Sequence, residues 1–353
     1  MGRLDLERGE AIDATIAYET WGKLNPARDN AVLVLHALTG DSHIRGDAGP
    51  GHPTAGWWSE VIGPGQAIDT DRQFVVAPNL LGGCQGSTGP ASLAPDGRPW
   101  GSRFPFLTVR DQVAAEIALA DHLGIERWAL VIGGSAGGMR VLEWAVTVPH
   151  RVAAIAAIAT TARTTADQIA WAQSQLWAIR SDSGFLGGDY YGQPDGAGPH
   201  VGLGIARQIA HTTYRSALEL QSRFGQQAQG GEEPLGGGGR YAVQSYLEHH
   251  ASKLALRFDA NSYAVLTEAL LSHDVGRGRG GVEAALARVT ARTLVVAVTS
   301  DRLYLPEQSE SIAAAIPGAG PVRYVESDFG HDGFLIEFDQ LAAIIVQFLA
   351  APA

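Results

Sequence analysis

Short runs of consecutive apolar residues recur along the chain, and aliphatic side chains make up most of them. Such runs are typical of strands that are buried on both faces of a parallel sheet. They predict strands at 31–35, 74–78, 128–132, 152–159, 293–298 and 322–325. Helical patterns lie between them, for example at 113–123. Strands that alternate with helices indicate βαβ units, so the predicted fold class is α/β, with a mostly parallel sheet flanked by helices.

This alternation stops between residues 160 and 281. Helical patterns follow one another there, at 166–180, 204–223, 241–256 and 262–272, and glycine-rich loops at 236–239 and 276–281 interrupt them. We interpret 160–281 as a helical lid that is inserted between two strands of the core. Residues 1–159 and 282–353 then form the core together.

A short Gly-Gly-Ser-Ala-Gly motif at 133–137 follows the predicted strand 128–132 and precedes a helical pattern at 139–146. In a chain with 44 glycines, such a motif also arises as a plain glycine turn. The order of strand, turn and helix favours a nucleophile elbow, in which a sharp turn presents the serine hydroxyl at the edge of the sheet. We therefore predict that Ser135 is a nucleophile.

A serine hydroxyl becomes a good nucleophile only when a base takes its proton. His331 lies beyond the last predicted strand, and Asp301 follows the predicted strand 293–298. Nucleophile, acid and base then come in the chain order of the α/β-hydrolase fold, so we predict a triad of Ser135, Asp301 and His331. We expect activity to fall as His331 becomes protonated below about pH 6.5. Other acids that compete for the role of Asp301 are Glu307, Glu310, Glu326 and Asp328.

Attack by the serine creates an oxyanion, which needs backbone N–H donors. One predicted donor is the residue after the nucleophile, Ala136. The other comes from the loop after the strand 31–35, and we expect it to be Leu38.

Charge and cysteine content narrow the class of protein. The net charge of −11 argues against a nucleic-acid or anionic membrane partner, because both need clustered Lys and Arg. The single cysteine, Cys84, excludes an intrachain disulfide and a multi-cysteine zinc site, and it fits a reducing compartment. No apolar stretch approaches the roughly 20 residues of a membrane span. We expect a cytoplasmic protein without a metal ion, in which Cys84 is a packed structural residue.

Six blocks of the sequence, at 36–43, 79–90, 133–139, 241–247, 300–302 and 330–335, resemble the homoserine O-acetyltransferase family. The resemblance extends over essentially the whole chain, including the lid. It implies a ping-pong transfer in which Ser135 takes acetyl from acetyl-CoA and the hydroxyl of L-homoserine then removes it. It also implies no permanently bound cofactor, a homodimer that pairs through the lids, and a product that enters methionine synthesis.

By position, Arg207 and Tyr214 match lid residues that the family uses at the active site. The carboxylate of homoserine suits a guanidinium such as that of Arg207, and its ammonium suits a carboxylate such as Asp332. The alternative for Arg207 is a surface residue of the lid, and the alternative for Asp332 is a structural acid beside the histidine.

Several questions stay open at the level of the sequence. Ala136 stands where family members commonly have methionine, which leaves succinyl-CoA as an alternative donor, and L-serine is an alternative acceptor. A serine esterase of the same fold would have the same triad, and a non-catalytic interaction protein is a further alternative. Arg140 stands where members of the family usually have glutamine or alanine, and we expect it to have a structural role. The loop at 276–281, with Arg277 and Arg279, is a hypothetical site for the phosphates of CoA.

Overall fold

The computed structural model of the chain describes residues 2–194 and 196–351. The strands are β1 (Gly2–Asp5), β2 (Ala11–Ala14), β3 (Tyr18–Trp21), β4 (Ala31–Leu35), β5 (Ile62–Gly63), β6 (Ile68–Asp69), β7 (Phe74–Pro78), β8 (Leu130–Gly134), β9 (Ala154–Ile158), β10 (Arg292–Val298) and β11 (Arg323–Val325). The α-helices are α1 (Val109–His122), α2 (Ala136–Thr147), α3 (Ala166–Arg180), α4 (His200–Tyr214), α5 (Ala217–Phe224), α6 (Ala242–Ala255), α7 (Ala260–Leu271), α8 (Val282–Leu286), α9 (Pro306–Ala315) and α10 (Phe338–Ala350). Short 3₁₀ helices lie at Gly101–Arg103, Pro149–Arg151, Ser183–Gly188 and Gly330–Leu335. Within the described ranges, no helix has the length and apolar character that a membrane crossing requires.

The central sheet has the strand order β11-β10-β9-β8-β4-β7-β3. Neighbouring strands are parallel, except that β3 runs antiparallel to β7 at one edge. Parallel strands end at the same edge of a sheet, and ligands of open α/β sheets bind at that edge. The residues that follow β4, β8, β10 and β11 therefore meet in one place.

Side chains of the central strands alternate between two core layers, as the period of a strand requires. Leu33 of β4 packs in the layer that contains Leu142 of α2, whereas Val34 packs in the layer that contains Leu341 of α10. Helices cover the sheet on both sides, so the strands are buried on both faces. This burial explains their continuous apolar runs.

The predicted α/β class is confirmed, and β4 and β7 have the predicted bounds. β8 begins at Leu130 rather than at Trp128, because Trp128 pairs only through an isolated bridge. The hairpin of β1 and β2 and the edge strand β3 were not predicted. β3 is partly exposed along its length, so it lacks the continuous apolar run that identified the inner strands.

Helices α3 to α7 lie between β9 and β10, in the stretch that the sequence predicts to be a lid. α3 has the predicted bounds, and a capping box of Thr165 and Gln168 starts it. The exact lid boundaries, 160–281, stay a prediction.

The prediction of one continuous helix at 204–223 is wrong. α4 ends where Arg215 adopts an extended conformation (φ −102°, ψ 145°), and α5 starts after Ser216. The Ser216 hydroxyl accepts a hydrogen bond from the N–H of Glu219 (3.0 Å) and donates one to the carbonyl of Asp328. The break therefore ties the lid to the loop that follows β11.

Candidate active site

Ser135 occupies the sharp turn between β8 and α2. Its backbone angles, φ 56° and ψ −122°, lie in a region that residues other than glycine rarely adopt. The Ser135 N–H donates to the carbonyl of Ile158 (2.9 Å), and the Ser135 carbonyl accepts from the Thr160 hydroxyl (2.8 Å). These bonds hold the strained conformation, which is the geometry of a nucleophile elbow.

Two glycines beside Ser135 are required by close packing. A Cβ atom on Gly137 would lie 2.0 Å from the carbonyl oxygen of Leu35. A Cβ atom on Gly134 would lie 2.4 Å from the ring of Phe334. No side chain fits at these distances, so the two glycines let β4 and the loop after β11 come close to the turn.

Asp301 and His331 form a buried hydrogen-bonded pair. Oδ2 of Asp301 accepts from Nδ1 of His331 at 2.7 Å. Oδ1 of Asp301 accepts from the N–H groups of Leu303 (2.8 Å) and Tyr304 (2.9 Å). With its proton on Nδ1, the imidazole leaves Nε2 free to accept a proton, as a general base requires.

The environment of His331 changes the expected pH dependence. Burial lowers the pKa of His331, but the charge of Asp301, the hydrogen bond to it and the charge of Asp332 raise it more. The pKa therefore lies above the ordinary value of 6.5. The sequence-based expectation of a midpoint at about pH 6.5 was too low, because it took an unperturbed histidine.

Ser135, Asp301 and His331 follow β8, β10 and β11, so all three lie at the same edge of the sheet. The ring of Tyr304 packs against that of His331, at 5.1 Å between centroids, and lines the same cleft as Ser135. Among the described residues, no hydrogen bond joins Ser135 Oγ to His331 Nε2. Such bonds are often long in unliganded enzymes and tighten when substrate binds. The catalytic role of the three residues stays a prediction.

The two predicted oxyanion donors lie near the serine. Leu38 lines the same cleft as Ser135, and Ala136 is the first residue of α2. The first N–H groups of a helix have no partner inside the helix. The N–H of Leu38 has no acceptor within the part of the chain that the structure describes. Both N–H groups are therefore available, although their function is untested.

Arg140 holds the loop that carries Leu38. Its side chain is only 1% exposed and donates to the carbonyl of His36 (2.5 Å) and to Glu116 (2.5 Å). The indole N–H of Trp144 donates to the other oxygen of Glu116 (2.7 Å). A buried ion pair thus joins α1, α2 and the first residue after β4. The structural role that the sequence analysis left to Arg140 is the one that the contacts support.

A narrow cleft of about 60 Å³ reaches Ser135 between α3 and α7. Trp171, which is 38% exposed, and the buried Ser135 and Tyr304 all line it. Among the described residues, those that line the cleft include no Lys, Arg, His, Asp or Glu.

The predicted substrate residues lie on the lid side of His331. The ring of Tyr214 packs against that of His331 (5.8 Å between centroids), and the guanidinium of Arg207 lies over the Tyr214 ring (5.4 Å). Asp332 forms an ion pair with Arg215 (3.4 Å). Burial raises the pKa of Asp332 more than Arg215 lowers it. Nε of Arg207 is buried and has no hydrogen-bond partner among the described residues.

The sequence analysis missed three residues of this region: Arg215, Arg257 and Tyr304. Arg257 donates from both terminal nitrogens to the carbonyl of Thr39 (3.0 Å each), which ties the connection between α6 and α7 to the loop after β4. Nothing in the local sequence marks Arg257. A capping signal, Ser216 followed three residues later by a glutamate, did mark the helix break beside Arg215.

Two other sequence hypotheses have structural outcomes. Burial raises the pKa of Cys84 to about 11, so the side chain is a thiol, which agrees with a packed structural residue. Arg277 pairs with Glu7 (2.7 Å), and Arg279 pairs with Glu143 (2.5 Å). Both guanidinium groups are already neutralised by carboxylates, so the contacts do not favour a phosphate site in this loop.

One group of described residues has the spacing of metal ligands. Atoms of Glu19, His43 and His52 lie within 4.8 Å of one another. Nδ1 of His43 forms a hydrogen bond with Glu19 (3.0 Å), and Nε2 of His43 forms one with the carbonyl of Asp47 (3.2 Å). These bonds account for the cluster without an ion, and the expectation of no metal stays a prediction.

Comparison with known proteins places this site in a family. The model of the alpha/beta hydrolase fold family matches residues 30–338, so the predicted α/β-hydrolase fold is confirmed. A protein of Thermobifida fusca named homoserine O-acetyltransferase is 62% identical over 97% of this chain and 90% of its own length. With an alignment of that identity and extent, this chain belongs to the homoserine O-acetyltransferase family.

Two solved structures show how the family overlaps with esterases. Homoserine O-acetyltransferase from Bacillus anthracis has a TM-score of 0.91 and 27% identity, and the match covers 99% of this chain and 96% of that one. Esterase E22 has a TM-score of 0.89 and 28% identity, with 99% and 98% of the chains covered. The backbone alone therefore does not separate acyl transfer from hydrolysis.

Proposed function

We propose that this chain is a homoserine O-acetyltransferase, which moves the acetyl group of acetyl-CoA to the hydroxyl of L-homoserine through an acetyl-Ser135 intermediate. The observation that supports it most is the buried Asp301–His331 hydrogen bond at the sheet edge where Ser135 occupies its strained turn. The name of the relative that is 62% identical agrees with this chemistry. The reaction needs no permanently bound cofactor, and its product feeds methionine synthesis.

In the first half-reaction, Ser135 Oγ bonds to the carbonyl carbon of the acetyl group while its proton passes to Nε2 of His331. Asp301 stabilises the imidazolium that forms. The N–H groups of Leu38 and Ala136 donate to the oxyanion. When the intermediate collapses, the C–S bond breaks, and His331 returns the proton to the departing CoA thiolate.

In the second half-reaction, the hydroxyl of homoserine attacks the acetyl-Ser135 ester. His331 now takes the proton of that hydroxyl, and the same N–H donors stabilise the second oxyanion. The bond between Ser135 Oγ and the acetyl carbon breaks, and the serine recovers its proton from His331. The enzyme is thereby restored for a new cycle.

The lid side of His331 is where we place homoserine. The guanidinium of Arg207 binds its carboxylate, and Asp332 binds its ammonium, beside Tyr214. The unpartnered Nε of Arg207 supports this assignment, because a buried donor without an acceptor is costly unless a ligand completes it. L-Serine, which is one methylene shorter, would bring its hydroxyl less far towards Ser135.

The cleft beside Ser135 supports acetyl rather than succinyl as the transferred group. A succinyl group carries a carboxylate, and a buried carboxylate needs a cation or several hydrogen bonds. The cleft offers about 60 Å³, and the described residues that line it include no cation. Ala136, the residue after the nucleophile, adds no charge beside the cleft.

A serine esterase is the second candidate, because esterase E22 has nearly the same fold. It differs only in whether water takes the acetyl group from Ser135. A lid guanidinium, Arg207, over the ring of Tyr214, together with a carboxylate, Asp332, beside the catalytic histidine, favours an amino-acid acceptor.

We also place the enzyme in the cytoplasm, as a homodimer that pairs through the lids. A groove of about 660 Å³ lies between α4 and α6, and apolar side chains at its rim are strongly exposed, such as Val201 (72%) and Leu256 (88%). Exposed apolar patches of this kind are typical of protein interfaces. Light scattering of the wild type and of Leu256→Glu tests the dimer, which the substitution should weaken.

The experiment that tests the activity follows thiol release from acetyl-CoA and from succinyl-CoA, each with L-homoserine, L-serine or no acceptor. We expect fast release only from acetyl-CoA with homoserine. Release that does not depend on the acceptor would mean hydrolysis, and a preference for succinyl-CoA would overturn the choice of donor.

A further inference from the structure

The turn that carries the predicted oxyanion donor Leu38 is built from two linked peptide units. The N–H of Gly40 donates to the carbonyl of Ala37 (3.0 Å), so residues 37–40 form a β-turn with Leu38 and Thr39 at its centre. The peptide bonds of this turn are trans, and in a trans peptide the C=O and the N–H point in opposite directions. A contact that fixes the Ala37 carbonyl therefore also fixes the direction of the Leu38 N–H.

Arg257 holds the other peptide unit of this turn from the side of the lid. Both of its terminal nitrogens donate to the carbonyl of Thr39 (3.0 Å each). Hydrogen bonds from a charged donor are stronger than those from a neutral one. The Thr39 carbonyl and the Gly40 N–H belong to the same peptide unit, so the guanidinium also fixes the direction in which Gly40 donates.

These contacts form a continuous chain from the guanidinium to the cleft. Arg257 donates to the Thr39 carbonyl, and the Gly40 N–H on the other side of that peptide donates to the Ala37 carbonyl. The Leu38 N–H then lies at the far end of the second peptide, in the residue that lines the cleft beside Ser135. Hydrogen bonds in a chain polarise one another, so a positive charge at one end makes the last N–H a stronger donor.

His36 fixes the same carbonyl from the side of the core. Its Nε2 accepts from the N–H of Leu80 (3.2 Å), so its proton is on Nδ1, which donates to the Ala37 carbonyl (2.7 Å). Burial and the charge of Arg140 lower the pKa of His36 to about 3, so this neutral form persists. The core thus orients the Ala37 carbonyl through one bond, and the lid orients it through the chain that starts at Arg257.

A second contact joins the turn to the lid. The side chain of Leu38 packs against an apolar cluster of the lid that contains Leu254, Phe258 and Leu266. Leu254 and Phe258 lie on either side of Arg257, and the Arg257 N–H donates to the Leu254 carbonyl (3.0 Å). The segment that presents the guanidinium is therefore anchored in the same cluster that holds the Leu38 side chain.

We infer that Arg257 is a positioning residue of the oxyanion site, which aligns and strengthens the Leu38 N–H through the turn at 37–40. This inference rests on the proposed acetyl-Ser135 chemistry and adds to it a lid residue that acts without touching either substrate. An oxyanion forms in both half-reactions, so the loss of Arg257 should slow both of them equally. A residue that bound CoA or homoserine would affect only one of them.

The test compares the wild type with Arg257→Met and Arg257→Lys. Arg257→Met leaves the Leu38 N–H in place but poorly aligned, so the effect should be smaller than the loss of a whole donor, which costs about 10²- to 10³-fold in kcat. We expect acylation by acetyl-CoA and transfer to homoserine each to slow by about 10- to 100-fold, with both KM values unchanged. Arg257→Lys keeps the charge and a donor, and it should slow both steps less than Arg257→Met does.

Two probes separate this role from substrate binding. Acylation by p-nitrophenyl acetate, which contains neither CoA nor an amino acid, should slow by the same factor in Arg257→Met. Methylboronic acid forms a tetrahedral adduct with a nucleophilic serine and places an oxygen where the oxyanion forms, so its inhibition constant should rise by that factor. A slower reaction with acetyl-CoA but a normal one with p-nitrophenyl acetate would mean that Arg257 binds the donor, and it would overturn the inference.

Arg45 offers a matched control. It is half-buried like Arg257, and its Nη1 donates to the carbonyls of Ser59 (3.0 Å) and Ile62 (2.9 Å), which lie outside the oxyanion turn. Arg45→Met should lower the unfolding midpoint without slowing either half-reaction. If Arg45→Met slows both steps as much as Arg257→Met does, the effect of Arg257 is one of general stability and the inference is wrong.

The remaining outcomes separate the inference from the proposed function. If Arg257→Met folds and slows neither step, the inference is wrong and the proposed function stands. If Arg257→Met does not fold, Arg257→Lys decides, and unequal effects on its two half-reactions would contradict the inference. If the wild type is acetylated but passes no acetyl group to homoserine, the proposed function is overturned, and the acylation rates still decide the role of Arg257.

Discussion

The active site has two walls that differ in how completely their polar groups are hydrogen-bonded. The core wall carries Asp301, His331 and Arg140, and the lid wall carries Arg207 and Thr267. On the core wall, both oxygens of Asp301 are occupied, and Arg140 joins Glu116 to the loop after β4. On the lid wall, three buried polar atoms have no hydrogen-bond partner among the described residues: Nε of Arg207, Nδ1 of His211 and the hydroxyl of Thr267. On the core wall, Nε of Arg140 has none.

This difference separates two tasks. A base and its acid must be oriented before substrate arrives, so both oxygens of Asp301 are already hydrogen-bonded in the free protein. A wall that binds substrate gains more binding free energy if its polar groups have no partner until the ligand arrives. Until then, these groups make the free protein less stable. Substitutions on the core wall should therefore lower the rate of the reaction or the free energy of unfolding, whereas substitutions on the lid wall should weaken substrate binding.

The largest effect is expected at the nucleophile. Ser135→Ala removes one hydroxyl from a turn that backbone bonds maintain, so kcat/KM for acetyl transfer should fall by about 10⁴-fold or more. Thiol release measures the loss, and an unchanged unfolding midpoint shows that the fold is intact. Residual activity of a few per cent would contradict the role of Ser135.

The buried ion pair of the core wall should be important for stability. Arg140→Met leaves the carboxylate of Glu116 buried without its partner, which should lower the free energy of unfolding by about 3–5 kcal/mol. The double variant Arg140→Met/Glu116→Leu removes both charges and should recover most of that loss. Denaturant unfolding measures both, and a single variant as stable as the wild type would contradict the account.

The opposite pattern is expected on the lid wall. Arg207→Lys keeps the charge but loses the forked geometry, so the KM for homoserine should rise about 10- to 100-fold with little change in stability. The control is Arg180→Lys, since Arg180 is an exposed arginine of α3 that pairs with Glu268. Equal effects of the two substitutions on the KM for homoserine would mean that Arg207 does not bind the acceptor.

The smallest effect is a shift of the pH profile. His331 acts as a base only when neutral, and its pKa lies above 6.5 because Asp301 and Asp332 outweigh burial. Activity should therefore fall as pH drops through a midpoint above 6.5, by about tenfold for each further pH unit. A midpoint below 6.5 in the profile of kcat/KM would mean that burial dominates instead.

The sequence predicted those parts of the molecule that depend on local pattern. The bounds of α3 were predicted correctly, and a capping box marks where this helix starts. The positions of Ser135, Asp301 and His331 after three strands followed from the chain order of the fold.

The features that the sequence did not predict depend on contacts between segments that are far apart in the chain. Arg257 donates a hydrogen bond to Thr39, which lies 218 residues away in the sequence, and no local pattern predicts that contact. The break at Arg215 was missed because the helical pattern continues on both sides of it. The raised pKa of His331 depends on charges that only the folded chain brings to the ring, so an unperturbed value was the expectation.

The central claim is a covalent acetyl-Ser135 that homoserine removes, and mass spectrometry tests it most directly. The protein is mixed with acetyl-CoA without acceptor, stopped, digested and measured, and a second sample receives L-homoserine before it is stopped. The account predicts one acetyl group on the peptide that contains Ser135 in the first sample and none in the second, where O-acetylhomoserine appears. An acetyl group on another residue, or an acetyl-Ser135 that water removes as fast as homoserine does, would contradict it.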